Sequence, residues 1–199
     1  MCESMNRVLC LVPLGIVLVL SGCGSSPPVR YYTLDPIPAA ASVSPPENTI
    51  GVGPLRFPDY LKRPQIVSSG DNGQVEVAEF DRWAGAAEAA FQRTLAQNLT
   101  TLLEDTMAIE FPFGGGLVVP DYRLVGQIND FATDAGGAAT LDVNWVVVDT
   151  DGNPVIAARR SLFTSQSSST SYAARVAAMN DTLQSFSREV ANLFRQSAP

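Results

Sequence analysis

All three cysteines of the chain fall within its first 23 residues, at Cys2, Cys10 and Cys23, and the composition contains no histidine. Everything after Cys23 must therefore fold without a disulfide or a thiolate metal site, and without the commonest metal ligand and general base. Such a unit is held chiefly by buried apolar surface. Any chemistry in it would fall to carboxylates, Ser, Tyr or Lys.

Cys23 also closes an apolar run. Arg7 supplies a thin positive start, Val8 to Leu20 is broken only by Pro13 and Gly15, and Leu20-Ser21-Gly22-Cys23 ends the run with two small residues. The run has the dimensions of a secretory h-region and falls short of the ~20 apolar residues that span a bilayer. Gly24-Ser25-Ser26-Pro27-Pro28 continues no helix. An ordinary signal peptide that happens to contain a cysteine is the alternative. The tetrapeptide, however, resembles a lipobox, which implies cleavage before Cys23, a diacylglycerol on its sulfur and an acylated amino terminus. Residues 1–22 are then expected to be a lipoprotein signal peptide, 23–48 the lipidated Cys and a flexible tether with a short strand, and 49–199 a single periplasmic domain. Acyl chains contribute ~0.8 kcal/mol per buried CH₂, enough together to keep the mature chain on a membrane. Gly24, where an Asp would signal inner-membrane retention, points by the same resemblance to the outer membrane, lipid-anchored and facing the periplasm.

The formal net charge of −7 is unchanged by loss of Glu3 and Arg7. No basic cluster is denser than Lys62-Arg63 or Arg159-Arg160, which excludes the cationic footprint of a nucleic-acid binder.

Along the domain, Arg30 to Leu34 reads as a short strand and Thr49 to Leu55 as a second. Gln65 to Ser68 and Gln74 to Phe80 flank the turn Gly70-Asp71-Asn72-Gly73 as a hairpin. Asp81 is placed to cap a helix whose stripe is Trp83, Ala87, Phe91, Leu95, Leu99 and Leu102, with Trp83 at its head in the core. A turn is expected at Gly114-Gly115-Gly116. Alternating runs from Tyr122, from Leu141 and from Pro154, separated by Asp134-Ala135-Gly136-Gly137 and Asp149-Thr150-Asp151-Gly152-Asn153, form a three-stranded meander. Ser165 to Ser171 is loop plus hydroxyl cap. The last helix, Tyr172 to Gln196, sets Val176, Met179, Leu183, Phe186, Val190 and Leu193 at 3-4-3-4-3 spacing. Six such side chains buried contribute ~9–18 kcal/mol before entropy. The fold class is α+β: a mixed, mainly antiparallel sheet covered on one face by two long amphipathic helices.

Three segments resemble the ABC-type transport auxiliary lipoproteins. They are Tyr31-Tyr32-Thr33-Leu34 soon after Cys23, the loop Phe57-Pro58-Asp59-Tyr60-Leu61-Lys62-Arg63-Pro64 with Gln65-Ile66-Val67, and Glu79-Phe80-Asp81-Arg82-Trp83-Ala84. Phe111-Pro112, Asp121-Tyr122-Arg123, Trp145 and the closing helix add weaker support. The resemblance implies a non-catalytic lipoprotein without a cofactor, working with MCE-domain proteins and their ABC or membrane-anchored relatives that move lipids between the two membranes. Gly85-Ala86-Ala87 departs from the family pattern of an acid, a proline and a leucine.

Partner-binding candidates follow from those segments. Pro58 and Pro64 restrict the loop at both ends, so Tyr60 and Leu61, flanked by Asp59, Lys62 and Arg63, are either presented to a partner or folded over the sheet. Asp81 and Arg82 either cap the helix and pair with Lys62, Arg63 or Glu79, or fix that loop; Trp83 is either core or part of the contact. The expected role is to tether or cap the outer-membrane end of an MCE-type conduit, and a conduit of symmetric rings suits a ring-shaped homo-oligomer of this chain. The alternative is an autonomous lipid binder with a pocket between helices and sheet. A hydrolase using Asp59 and Asp81 lacks any nucleophile motif, metal spacing or phosphate loop.

Overall fold

The structure is a computed structural model that describes residues 26–39, 45–112 and 118–197. The expected signal peptide, Cys23 and the turn expected at Gly114-Gly115-Gly116 lie outside the described residues. In chain order the elements are β1 (Arg30–Tyr32), β2 (Asn48–Arg56), β3 (Gln65–Ser69), β4 (Val75–Trp83), α1 (Ala87–Leu102), β5 (Thr106–Glu110), β6 (Tyr122–Asp134), β7 (Ala138–Asp149), β8 (Pro154–Gln166) and α2 (Tyr172–Ser197).

The expected meander is present: β6, β7 and β8 pair antiparallel in sequence. On its other edge β6 serves two strands laid end to end. β2 pairs parallel with its first half, Ile50 against Tyr122, and β3 pairs parallel with its last residues, Ser68 against Thr133. The sheet therefore forks into a β2–β5 branch and a β3–β4–β1 branch. It is mixed, with the longest registers antiparallel, and it carries two helices, as expected.

Two local expectations are corrected. Asp81 caps no helix, and Trp83 heads none: both complete β4, which runs to Trp83, and α1 starts at Ala87 behind Ala86, which offers no side-chain cap. The β-type alternation Asp81/Trp83 buries both residues on the sheet, and this outweighs the cap-like look of an acid ahead of an alanine-rich run. β5 is a strand the sequence reading did not identify. Only Thr106, Ala108 and Ile109 of its five residues are buried, too short a signal to stand out.

The helices do what their spacing predicts. Ala87, Phe91, Leu95 and Leu99 of α1 and Val176, Met179, Leu183, Phe186 and Val190 of α2 are buried. Ser171 caps α2, its Oγ accepting from Ala174 N at 3.3 Å. Trp145 of β7 lies edge-on to Phe186 above Gly126 of β6, where a Cβ would come within 2.6 Å of the Asn144 carbonyl oxygen. Only glycine lets the two strands approach this closely there.

Part of the expected tether is built into the fold. After β1 the chain crosses the outside of both helices as a strap, with Leu34 buried. Asp35 N donates to Asn180 Oδ1 of α2 at 3.2 Å and Ile37 N to Asn98 Oδ1 of α1 at 2.7 Å. Asn98, fully buried, also donates to Ser187 Oγ of α2 at 3.0 Å. One amide thus joins strap, first helix and last helix.

Candidate functional site

The fork in the sheet explains the Phe57–Pro64 loop, since a chain passing from β2 to β3 must bridge the gap beside the middle of β6. Pro58, at φ −59° and ψ 145°, leads into a single 3-10 turn, Asp59–Leu61. Phe57 and Leu61 turn inward; Phe57 meets Phe91 edge-on at 5.4 Å, and Phe91 meets Phe131 in the same way at 5.1 Å. Tyr60 is half-buried and donates its hydroxyl to Asp130 Oδ1 at 3.4 Å, where β6 bulges. Burial pushes the Asp130 carboxyl above its ordinary range, and burial beside that charge raises the Tyr60 phenol. Asp59 and Lys62 form an exposed ion pair at 3.2 Å, the Asp59 side chain being 98% exposed. Arg63 is exposed and makes no ion pair with the described residues.

The second motif block meets the first. Trp83 N donates to Pro64 O at 2.7 Å, and Trp83, Phe57, Leu61, Ala87, Phe131 and Met179 surround a void of about 10 Å³. Asp81, 3% exposed, is the hub of the branch. Its carboxylate accepts Arg30 Nε and Nη2, each at 2.7 Å, and the Tyr32 hydroxyl at 2.7 Å. The Arg30 guanidinium, with Tyr32 assisting against burial, holds the Asp81 carboxyl below its ordinary range, and the same pair raises Arg30. Arg82 lies in register between Tyr31 and Gln65, half-buried, its Nε without a hydrogen-bond partner.

Of the candidates, then, Pro58, Asp59, Tyr60 and Arg63 reach the surface, Arg82 does so in part, and Leu61, Asp81 and Trp83 are interior. The paired-carboxylate idea fails on geometry: Asp59 stands in water against Lys62, while Asp81 is locked to Arg30. Among the described residues no group of three or more His, Cys, Asp or Glu is placed to hold a metal, and no helix is long and apolar enough to cross a membrane. The space enclosed beside Trp83 is at most about that needed by a single water, so no lipid-sized container lies at that junction of helices and sheet. Larger hollows among the described residues are open grooves. One of about 620 Å³ lies between Arg159 and Ser185, Glu189 and Leu193 of α2, and one of about 570 Å³ runs between the strap at Pro36–Ala39, α1 and β5.

A third, of about 860 Å³, lies on the sheet face away from the helices. A lateral row crosses four strands there, Arg56, Gln127, Asn144 and Arg160, each in register with the next. Val125 and Val146 floor the groove, with Arg123 alongside. Arg160 is tied to Asp142 by Nε at 2.9 Å and Nη2 at 2.6 Å, which lowers the Asp142 carboxyl. Arg56 and Arg123 have no ion-pair partner among the described residues; Arg123 lies over the Phe111 ring at 5.8 Å. The sequence reading did not assign this face. Its signal was the polar side of the alternation in β6, β7 and β8, where arginines and amides recur and Asp142 matches only Arg160.

A family model described as an ABC-type transport auxiliary lipoprotein component matches residues 32–191. No curated protein sequence matches the chain. Among solved structures, that of an uncharacterized protein is 19% identical with a TM-score of 0.69, covering 83% of this chain and 98% of the other. A Xanthomonas campestris protein is 20% identical with a TM-score of 0.65, covering 84% and 96%. Both likenesses concern the fold.

Proposed function

The chain belongs to the ABC-type transport auxiliary lipoprotein components, and from that premise we propose that it is a non-catalytic subunit of an MCE-type intermembrane lipid transport system, anchored through Cys23 in the outer membrane and holding the conduit's end there. The observation that carries the reading is the contrast between a filled interior and a bare sheet face. With about 10 Å³ enclosed at the Trp83 junction, that junction of helices and sheet has no room for a lipid. With unpaired Arg56 and Arg123 on an open groove, it offers a protein-sized surface to an acidic partner. Asp59, Tyr60, Arg63 and Arg82 extend the contact at the fork, while Leu61, Asp81 and Trp83 hold that corner in shape.

The test is affinity purification of the tagged, lipidated chain from detergent-solubilised envelopes, with mass spectrometry of co-purifying proteins and lipids. An MCE-domain protein that is captured by the parent and lost in Arg56→Glu/Arg123→Glu supports the reading. Capture of free phospholipid without any MCE protein refutes it in favour of an autonomous lipid binder.

A further inference from the structure

Of the eight large apolar side chains exposed among the described residues, four lie at one edge: Val29, Tyr31, Val75 and Val77. Val29 and Tyr31 flank the start of β1, and Val75 and Val77 belong to β4. β1 covers β4 only from Asp81 to Trp83, so the Val75–Phe80 edge has no strand beside it. Because β1 runs parallel to β4, the chain enters the fold from the Val75 end of that edge.

The distance to the anchor is short. Cys23 is seven residues before Arg30, and seven residues span at most ~25 Å when fully extended. Arg30 is fixed to the domain through both nitrogens it gives to Asp81. The β1–β4 edge is thus held within that reach of any bilayer that holds Cys23.

We infer that this edge rests on that bilayer, with Tyr31, Val29, Val75 and Val77 at the lipid–water interface. The inference rests on acylation at Cys23. Amphipathic aromatic rings favour the headgroup level, and Tyr31 is 64% exposed in a place where the fold gives it nothing to cover. Charge does not hold the seat: the same strands carry Glu76, Glu79 and Asp81 against Arg30 and Arg82, so no surplus of cations faces the headgroups. The contact is apolar and needs no anionic lipid. Such a seat turns the domain so that β8, at the far side of the sheet, points away from the membrane.

The mature domain has no cysteine beyond the acylated one, so single cysteines report cleanly. Tyr31→Cys, Val77→Cys and Leu162→Cys, each in the full lipidated chain, would be labelled with an environment-sensitive fluorophore. The protein is then reconstituted into phosphatidylcholine vesicles bearing a brominated quencher. Expected is co-flotation with vesicles and quenching at positions 31 and 77 at least about twofold greater than at 162, as for residues lying at the headgroup–acyl boundary. This should persist at 1 M salt, where the Debye length is ~3 Å. Co-flotation with equal quenching at all three sites overturns the seat and leaves the anchor intact. Quenching at 31 and 77 that vanishes in salt overturns its apolar character. Failure to float removes the anchor itself, and the seat with it.

Discussion

Asn98→Ala is the substitution whose cost the structure fixes most directly. The fully buried amide accepts from Ile37 N at 2.7 Å and donates to Ser187 Oγ at 3.0 Å. Two lost hydrogen bonds cost about 1 kcal/mol each, and stranding the half-buried Ile37 N–H costs about 1 more. Ser187 is not orphaned, since its hydroxyl still donates to Leu183 O at 2.7 Å. The sum, about 3 kcal/mol, corresponds to a fall in Tm of ~6–12 °C for a domain of this size. Urea denaturation gives the free energy, and amide exchange at Ile37 shows where it is lost, because the strap should open before the core. Asn98→Asp makes a sharper test. It keeps an acceptor for Ile37 but buries an unpaired charge, so its carboxyl is pushed up. Relative to the parent, the variant therefore loses least at low pH, and its deficit grows as pH rises through the raised value. A loss below about 1 kcal/mol in Asn98→Ala, or unchanged exchange at Ile37, would refute the view that one amide joins strap and helices.

Asp81 and Asp142 are held below the ordinary carboxylate range by Arg30 and Arg160; their stabilisation is present above the unfolded value near ~4 and disappears as pH falls through the depressed ones. Asp81→Asn should accordingly flatten the acid limb of the stability curve, and an unchanged limb would count against it. Tyr60→Phe removes a bond that lowers the Asp130 carboxyl, so its titration, followed by NMR, should move still higher, with a stability loss under about 1 kcal/mol. Gly126→Ala forces a Cβ against the Asn144 carbonyl and should cost about 1–3 kcal/mol; an unchanged Tm would show that the β6–β7 pair can spread.

What could be read from the sequence was local. The turns Asp134-Ala135-Gly136-Gly137 and Asp149 to Asn153 set the meander, and the spacing from Val176 to Val190 set the buried face of α2. The last position of that seam drifted: Leu193 is half-buried and Phe194 takes the core, since a 3.5-residue repeat slips against a 3.6-residue helix. What escaped was long-range. Arg30 finds Asp81 across 51 positions, and no short window contains both, so an acid ahead of alanines looked like a cap. The Phe57–Pro64 loop was recognised by its residues, but its task, closing a gap beside β6, depends on strands that pair from opposite ends of the chain.

The forked sheet carries a kinetic consequence. β6, β7 and β8 join through tight turns and can assemble with little loop to close, whereas β2 reaches β6 only by bringing together residues 72 positions apart, as Thr49 and Asp121 are. Closing that span costs entropy before any contact repays it. β6 should therefore exist, paired with β7, before either branch arrives, and serve as the common template on which β2 and β3 settle. Substitutions within the β6–β7–β8 hairpins should slow refolding, while those in β1 or β2 should chiefly hasten unfolding.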